Sequence, residues 1–240
     1  MSTVQGGQGN IVKDGLVLWL DAANPRSYAP PYNGTTWTDL AGTNNGTLVN
    51  GPTFNSSAGG SIVFDGVNDY INQSIYNPSE LIPATSNNFS IDAWFYMTSN
   101  PTDTGFLIPG LFSIGQGSTS TFQFISFGPL PNRTLKLRWF DGTQNGKTGS
   151  TVLSLNQWYN ITCSVAGGVI LFYINSIIET SYTGNNLTNR TLVSNALYQL
   201  GDSYYGKFTG RIPIVKVYNR ALSASEIQQN FNATRARFGV

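Results

Sequence analysis

The feature of this sequence that most restricts its fold is a succession of short apolar segments that end in turn signals. Residues 89–97 show the pattern clearly, because every second position from Phe89 to Phe95 places an apolar side chain on the same face. Further strands are predicted at residues 122–127, 135–140, 158–165, 169–174, 196–200 and 212–218. Many short strands with turns at fairly regular spacing indicate an antiparallel sandwich or barrel.

Turn residues and one helix complete the predicted architecture. Residues 141–142 (Asp-Gly) and 145–146 (Asn-Gly) are interpreted as turns between strands. Near the C-terminus, Ser223 and Glu226 form the capping-box pattern that begins a helix. We therefore predict an all-β fold, a two-sheet antiparallel jelly-roll sandwich with one short C-terminal helix.

The length of the chain, 240 residues, fits one large all-β domain. Residues 1–12 begin with a polar stretch rich in Gly and Gln and are predicted to form a flexible N-terminal arm. Residues 13–240 are predicted to form the jelly-roll domain, including the helix and the tail that follows it.

Charge limits the classes of partner that the chain can bind. Charged residues make up 10% of the sequence, against about 25% in typical proteins, and the net charge is +1. Binding to nucleic acid by counterion release requires clustered Lys and Arg, which are missing here. The longest apolar stretch, residues 168–174, is far shorter than the roughly 20 residues of a transmembrane helix. We expect neither a nucleic-acid nor a membrane partner.

Three segments, in this order along the chain, resemble a known family. They are residues 15–21 (GLVLWLD), 62–71 (IVFDGVNDYI) and 217–223 (VYNRALS). Together they are similar to the laminin-G-like jelly-roll domains of the concanavalin A-like lectin/glucanase superfamily. The resemblance covers nearly all of the chain after residue 12 and implies the jelly-roll fold.

A narrower resemblance concerns residues 21–28 and 221–231, which are similar to segments of proteins encoded by tailed bacteriophages. It implies a non-catalytic virion structural protein, namely a capsid decoration, neck or fibre component. Such a protein would be located in the virion and oligomeric there, and would act through contacts with other virion proteins.

The end of the chain mixes aromatic anchors with arginine, a combination that is enriched at protein interfaces. The docking residues predicted for assembly are Phe231, Arg235, Arg237 and Phe238. We expect that residues 1–10 or residues 232–240 can each be removed without unfolding the domain.

Catalytic chemistry is not expected. The sequence contains no histidine, which excludes Ser-His-Asp and Cys-His catalysis and histidine-containing zinc sites. Glycosidases use paired carboxylates, but Glu80, Glu179 and Glu226 each lack another acid within three positions. We therefore predict that the protein is not an enzyme.

The turn at residues 65–69 contains the side-chain oxygens that Ca²⁺ prefers, on Asp65, Asn68 and Asp69. In the family that the sequence resembles, a calcium ion is often held near this turn. However, Pro213 and Ile214 stand where relatives commonly have an aspartate ligand. The alternative interpretation is that the acidic residues cap backbone amides in a hairpin turn. No other cofactor is expected.

Aromatic residues in predicted loops, Trp37, Tyr204 and Tyr205, could stack on sugar rings. They support an alternative function, a glycan-binding module that attaches to a host-surface glycan. The competing interpretation is that these aromatics close the ends of the sandwich, because Trp and Tyr are usually largely buried.

Overall fold

The computed structural model describes residues 10–74, 81–82, 86–103, 110–118, 121–140, 143–187, 197–203 and 206–240. Within these residues, antiparallel strands form two large sheets, as predicted. The first sheet has the order β15 (Ile177–Tyr182), β14 (Val169–Ile174), β13 (Trp158–Ala166), β7 (Phe89–Met97), β19 (Thr209–Tyr218), β5 (Ser61–Asp65) and β4 (Thr53–Asn55), and β1 (Leu16–Asp21) pairs with β19.

The second sheet packs against the first. Its order is β12 (Gln144–Thr148), β11 (Leu135–Phe140), β10 (Thr121–Pro129), β9 (Phe112–Ser118), β16 (Leu197–Leu200), β6 (Tyr70–Ser74), β3 (Gly46–Val49) and β2 (Thr36–Trp37). A small sheet at the rim contains β17 (Asp202–Ser203), β18 (Gly206–Lys207) and β8 (Thr102–Asp103). The two-sheet jelly-roll prediction is confirmed.

The core lies between the inner faces of the two sheets. Phe127 of the second sheet and Phe172 of the first are both fully buried, with ring centroids 5.7 Å apart. Cys163 of β13 is also fully buried, and burial raises the pKa of its thiol well above the ordinary value. The cysteine therefore acts as a small apolar core residue.

The predicted helix is confirmed as α1 (Ala224–Thr234), which begins at the N-cap Ser223. The Ser223 hydroxyl accepts from the Glu226 amide at 3.3 Å, and the Ser223 amide donates to the Glu226 carboxylate at 2.8 Å. Hydrogen bonds from Arg220, together with those from Ser223, lower the pKa of Glu226 to about 2. A short 3₁₀ turn (Arg235–Arg237) follows the helix. None of the helices in the described ranges has the length and apolar character needed to cross a bilayer.

An ion pair is buried on the first sheet, between two neighbouring strands. The register aligns Asp92 of β7 with Lys216 of β19, and Lys216 Nζ lies 2.6 Å from Asp92 Oδ1. Both side chains are 0% exposed. The other carboxylate oxygen, Asp92 Oδ2, accepts from the Thr162 hydroxyl at 2.9 Å. The carboxylate is thus held by a cation on one side and a hydroxyl on the other.

The packed domain begins earlier than the sequence predicts. Ile11 and Val12 were assigned to the flexible arm, but both are buried. The Val12 amide donates to Asn230 Oδ1 at 2.9 Å, and the Val12 carbonyl accepts from the Tyr218 hydroxyl at 3.1 Å. Two apolar residues are too few to show a period, so the local pattern could not reveal this contact. Residues 1–9 lie outside the described ranges.

Candidate functional site

The predicted calcium turn is used by the protein itself. One oxygen of Asp65, Oδ1, accepts from the amides of Val67, Asn68 and Asp69, at 2.8, 3.3 and 3.4 Å. Asp69 Oδ2 accepts from the Asp65 amide at 3.1 Å. Backbone hydrogen bonds, that from Val67 above all, lower the pKa of Asp65, whereas burial raises the pKa of Asp69.

These contacts match the turn interpretation of Asp65 and Asp69. In the described part of the chain, no cluster of three or more His, Cys, Asp or Glu residues is arranged to hold a metal ion. Calcium prefers six to eight oxygen ligands, and the two carboxylates here are already engaged with amides. Asp65 and Asp69 thus act as turn caps in the structure, and the calcium site proposed on Asp65, Asn68 and Asp69 stays a prediction.

Of the three aromatic residues predicted to bind glycans, Trp37 is the one that lies within the described residues. Trp37 is 0% exposed, because it lies on the inner face of β2 and packs in the core. A fully buried indole cannot stack on a sugar ring, so its assignment as a glycan contact is wrong. Tyr204 and Tyr205 lie outside the described residues.

Most of the predicted docking residues are occupied within the chain. Phe231 and Phe238 are each 6% exposed and stack on Trp94, with ring centroids 5.6 and 4.1 Å away. Arg237 Nη1 donates to both carboxylate oxygens of Asp21, at 3.0 and 3.1 Å. Of the four, Arg235 alone is exposed, with its guanidinium 5.7 Å from the Phe231 ring. A docking role for the two aromatics and Arg237 would require the tail to leave the domain.

A different site emerges at the flank of the sandwich, in a recess of about 290 Å³. It lies between β12, the edge strand of the second sheet, and the loop after β15, the edge strand of the first. Its lining residues are Trp139, Asn145, Gly146, Lys147, Gly184, Asn185 and Asn186. We call it the flank recess.

The strand register explains why this flank is polar. Trp139 pairs with Asn145, and Leu137 pairs with Lys147. Directly paired residues of antiparallel strands lie on the same face of a sheet. Since Leu137 and Trp139 face the core, Asn145 and Lys147 occupy inner-face positions. Burying these polar groups without partners would be unfavourable, and here the inner face opens into the recess instead.

Contacts between the two sheet edges hold the recess in shape. The Tyr182 hydroxyl of β15 donates to the Thr148 carbonyl of β12. The backbone amide and side-chain Nδ2 of Asn185 both donate to the Gly168 carbonyl, at 3.1 and 3.0 Å. Gly168 has a φ of 86°, and a Cβ there would collide with the Asn185 carbonyl. The loop is therefore anchored by contacts that only glycine permits.

Several polar groups in the flank recess remain available to a ligand. The Trp139 side chain is largely buried, and its Nε1–H is enclosed by protein without an acceptor among the described residues, so the indole serves as an apolar wall. Because Asn185 Nδ2 is used by Gly168, the carbonyl oxygen of the Asn185 side chain can serve as an acceptor. Lys147 Nζ lies 5.5 Å from the centre of the Tyr182 ring. None of the lining residues is acidic.

Another recess, of about 370 Å³, is lined by Asp21, Ala23, Asn24, Pro25 and Arg237. Its two charged residues, Arg237 and Asp21, already form an ion pair in which Arg237 Nη1 donates to both carboxylate oxygens. The flank recess is therefore the better candidate site, because its lysine forms no ion pair with another described residue.

Sequence reasoning missed the flank recess because it interprets residues 145–146 as a turn. In the structure they lie inside β12. The segment Gln144–Thr148 has no apolar alternation, and its extended form depends on pairing with β11. One sequence feature could have indicated the recess: the predicted strand at residues 135–140 contains Trp139, and Asn145 and Lys147 follow it at alternate positions.

Comparison with known sequences agrees with the observed fold. A profile described as the concanavalin A-like lectin/glucanases superfamily matches residues 65–228, well over half of the chain. No curated protein matches the chain.

Solved structures share the architecture at low sequence identity. Domain 4 of an extracellular arabinanase from Geobacillus stearothermophilus, in complex with arabinotriose, has a TM-score of 0.62 and 19% identity, covering 90% of this chain and 97% of that one. A structure of botulinum neurotoxin type C, a toxin whose cell entry depends on two ganglioside molecules, has a TM-score of 0.64 and 14% identity, covering 93% of this chain and 52% of that one. Trypanosoma rangeli sialidase in complex with sialic acid has a TM-score of 0.62 and 16% identity, covering 93% and 33%. This chain thus spans about half of the toxin chain and a third of the sialidase.

Proposed function

Because the chain belongs to the concanavalin A-like lectin/glucanase superfamily, we propose that it is a non-catalytic glycan-binding module whose site is the flank recess. The observation that carries the proposal is the polar lining of inner-face positions that a sandwich normally fills with apolar side chains. A fold alone does not establish a function, so the proposal depends on this lining.

The lining suits the chemistry of sugars. Sugar hydroxyls both donate and accept hydrogen bonds, and an asparagine side chain offers two donors and an acceptor. Asn145, Asn185 and Asn186 bring three such amides to one recess, with the indole of Trp139 as an apolar wall. Its volume is near the lower end of the range of about 300–1,000 Å³ for ligand pockets, which suits a short saccharide.

The structural neighbours support the same class of ligand. The arabinanase domain was solved with arabinotriose, and the neurotoxin structure concerns ganglioside molecules. Both likenesses are below 25% identity, so they support a carbohydrate in general and do not identify the sugar or the surface that binds it.

We expect saturable binding to at least one glycan on an array, and a loss of affinity of about five- to 150-fold in the Asn145→Ala/Asn185→Ala double variant. Each hydrogen bond to a bound sugar contributes about 0.5–1.5 kcal/mol to the binding free energy, and the double variant removes the side chains that form them. The matched control is Asn33→Ala, an exposed asparagine near β2, at the far end of the second sheet from β12.

Melting temperatures of all variants are measured alongside, because Asn185 also anchors its loop. Two results would contradict the proposal. One is an array with no bound glycan, and the other is a double variant that is folded and binds as tightly as the control.

Attachment to a larger assembly, such as a virion, is a second proposal. It is favoured by exposed apolar side chains at the end of the first sheet, where Ile177 and Ile178 of β15 are 71% and 53% exposed. Val152 is 56% exposed and follows Ser150 and Thr151, whose amides donate to Glu179 of β15. Exposed apolar residues on an edge strand are typical of protein contacts.

If this role is correct, purified particles should contain the protein, and the Ile177→Ser/Ile178→Ser variant should be folded but excluded from them. Val67→Ser, at a residue that is 70% exposed on the distant turn after β5, is the control and should be incorporated normally. Absence of the native protein from the particles would show that the virion assignment is wrong.

A further inference from the structure

The flank recess contains a cation for which the described residues supply no counter-ion. Across the described residues, no carboxylate lies within 4.0 Å of Lys147, and no acidic side chain lines the recess. On the basis of the glycan-binding function proposed above, we propose that the recess is selective for glycans that carry a carboxylate, such as those that contain sialic acid or a uronic acid. Lys147 is the residue that recognises this carboxylate.

The position of Lys147 in the sheet makes it part of the site rather than an ordinary surface lysine. Its partner across the strands is Leu137, which is completely buried in the core. Lys147 therefore leaves the sheet on the inner side, is itself partly buried, and extends past the Tyr182 ring. From this position its ammonium group can reach a carboxylate on a ligand in the recess.

Other cationic side chains of this protein form ion pairs within the fold. Lys207 pairs with Asp202, Lys216 with Asp92, and Arg237 with Asp21. Each of these pairs fixes two segments of the fold. No described carboxylate pairs with Lys147 in this way, and Asn145 on its own strand and Asn185 on the facing loop line the recess beside it. The recess thus combines one charge-recognising group with neutral amides, the two features that an acidic sugar requires.

The test uses matched pairs of acidic and neutral oligosaccharides on one array: sialylated and uronic-acid compounds with their uncharged counterparts. The best pair is then titrated calorimetrically with the full chain. We expect the acidic member to bind at least about tenfold more tightly, as charge-assisted hydrogen bonds allow. Added salt should weaken its binding more than that of the neutral member.

The Lys147→Met variant should reduce the acidic-to-neutral affinity ratio to near one, whereas Lys147→Arg should retain the preference. The control is Lys136→Met, because Lys136 pairs with Thr148 and leaves the same sheet from its outer face. The control should bind like the native chain.

The outcomes separate this inference from the function on which it rests. If neutral glycans bind as well as acidic ones, or Lys147→Met keeps the preference, the acidic selectivity is wrong and the glycan-binding function stands. If a sulfated analogue binds as tightly as the carboxylate, the site recognises charge alone and the carboxylate assignment is overturned. If no glycan binds, the proposed function itself fails.

Discussion

Replacing Lys216 by methionine is expected to lower the free energy of unfolding by about 3–5 kcal/mol, the cost of leaving a buried charge without its partner. Methionine keeps most of the length of the lysine side chain, so the change removes the charge and creates little empty space. The Asp92 carboxylate, 0% exposed, would keep the Thr162 hydroxyl but lose the cation 2.6 Å away. Urea denaturation measures the effect.

A lysine on the outer face of the second sheet provides the comparison. Lys136→Met changes the same residue type at a partly exposed position and should alter stability by no more than about 0.5 kcal/mol. If the free energy of unfolding of Lys216→Met is less than about 1 kcal/mol below that of the native protein, the buried pair is not a strong determinant of stability.

Replacing Phe238 by alanine is expected to lower the free energy of unfolding by about 3 kcal/mol, although this residue is two positions from the end of the chain. Its ring stacks on Trp94 at 4.1 Å and packs on Trp158 at 4.9 Å. Removal of the ring would expose part of both indoles. The same reasoning corrects the expectation that residues 232–240 are dispensable, because Ala233 and Phe238 are buried.

Val240→Ala is the matched control, since this side chain lies in the same tail and is 42% exposed. It should change stability by no more than about 0.5 kcal/mol. Chemical denaturation followed by tryptophan fluorescence suits both variants, because Trp94 lies directly under the tail. Equal stability of the Phe238→Ala and Val240→Ala proteins would mean that the tail does not pack on the sheet in solution.

Local signals were enough to predict the fold. Alternation predicted β7 within residues 89–97, and two predicted strands, β11 and β14, have the observed bounds. The capping box predicted the start of α1 at Ser223. In these segments, local preference and tertiary packing favour the same conformation, which is the condition under which a sequence pattern is informative.

The candidate site could not be predicted in the same way, because it depends on which strands become neighbours. Nothing within residues 144–148 indicates that Asn145 will face Trp139 or that Asn185, 40 positions later, will close the recess. For Trp37, the nearby turn signals allowed either an exposed glycan contact or a buried residue at the end of the sandwich, and the structure shows burial. That burial depends on the place of β2 in the second sheet, beside β3.

The contact between the first and last segments has a consequence for synthesis of the protein. The Val12 amide and its acceptor on Asn230 are 218 positions apart, and β1 pairs only with β19 in the described part of the chain. A ribosome must therefore release nearly the entire domain before β1 can join its sheet. Long-range pairing of this kind slows folding and leaves apolar strands exposed in the meantime. Nascent chains that stop before β19 would hold β1 unpaired, with no native state available to them.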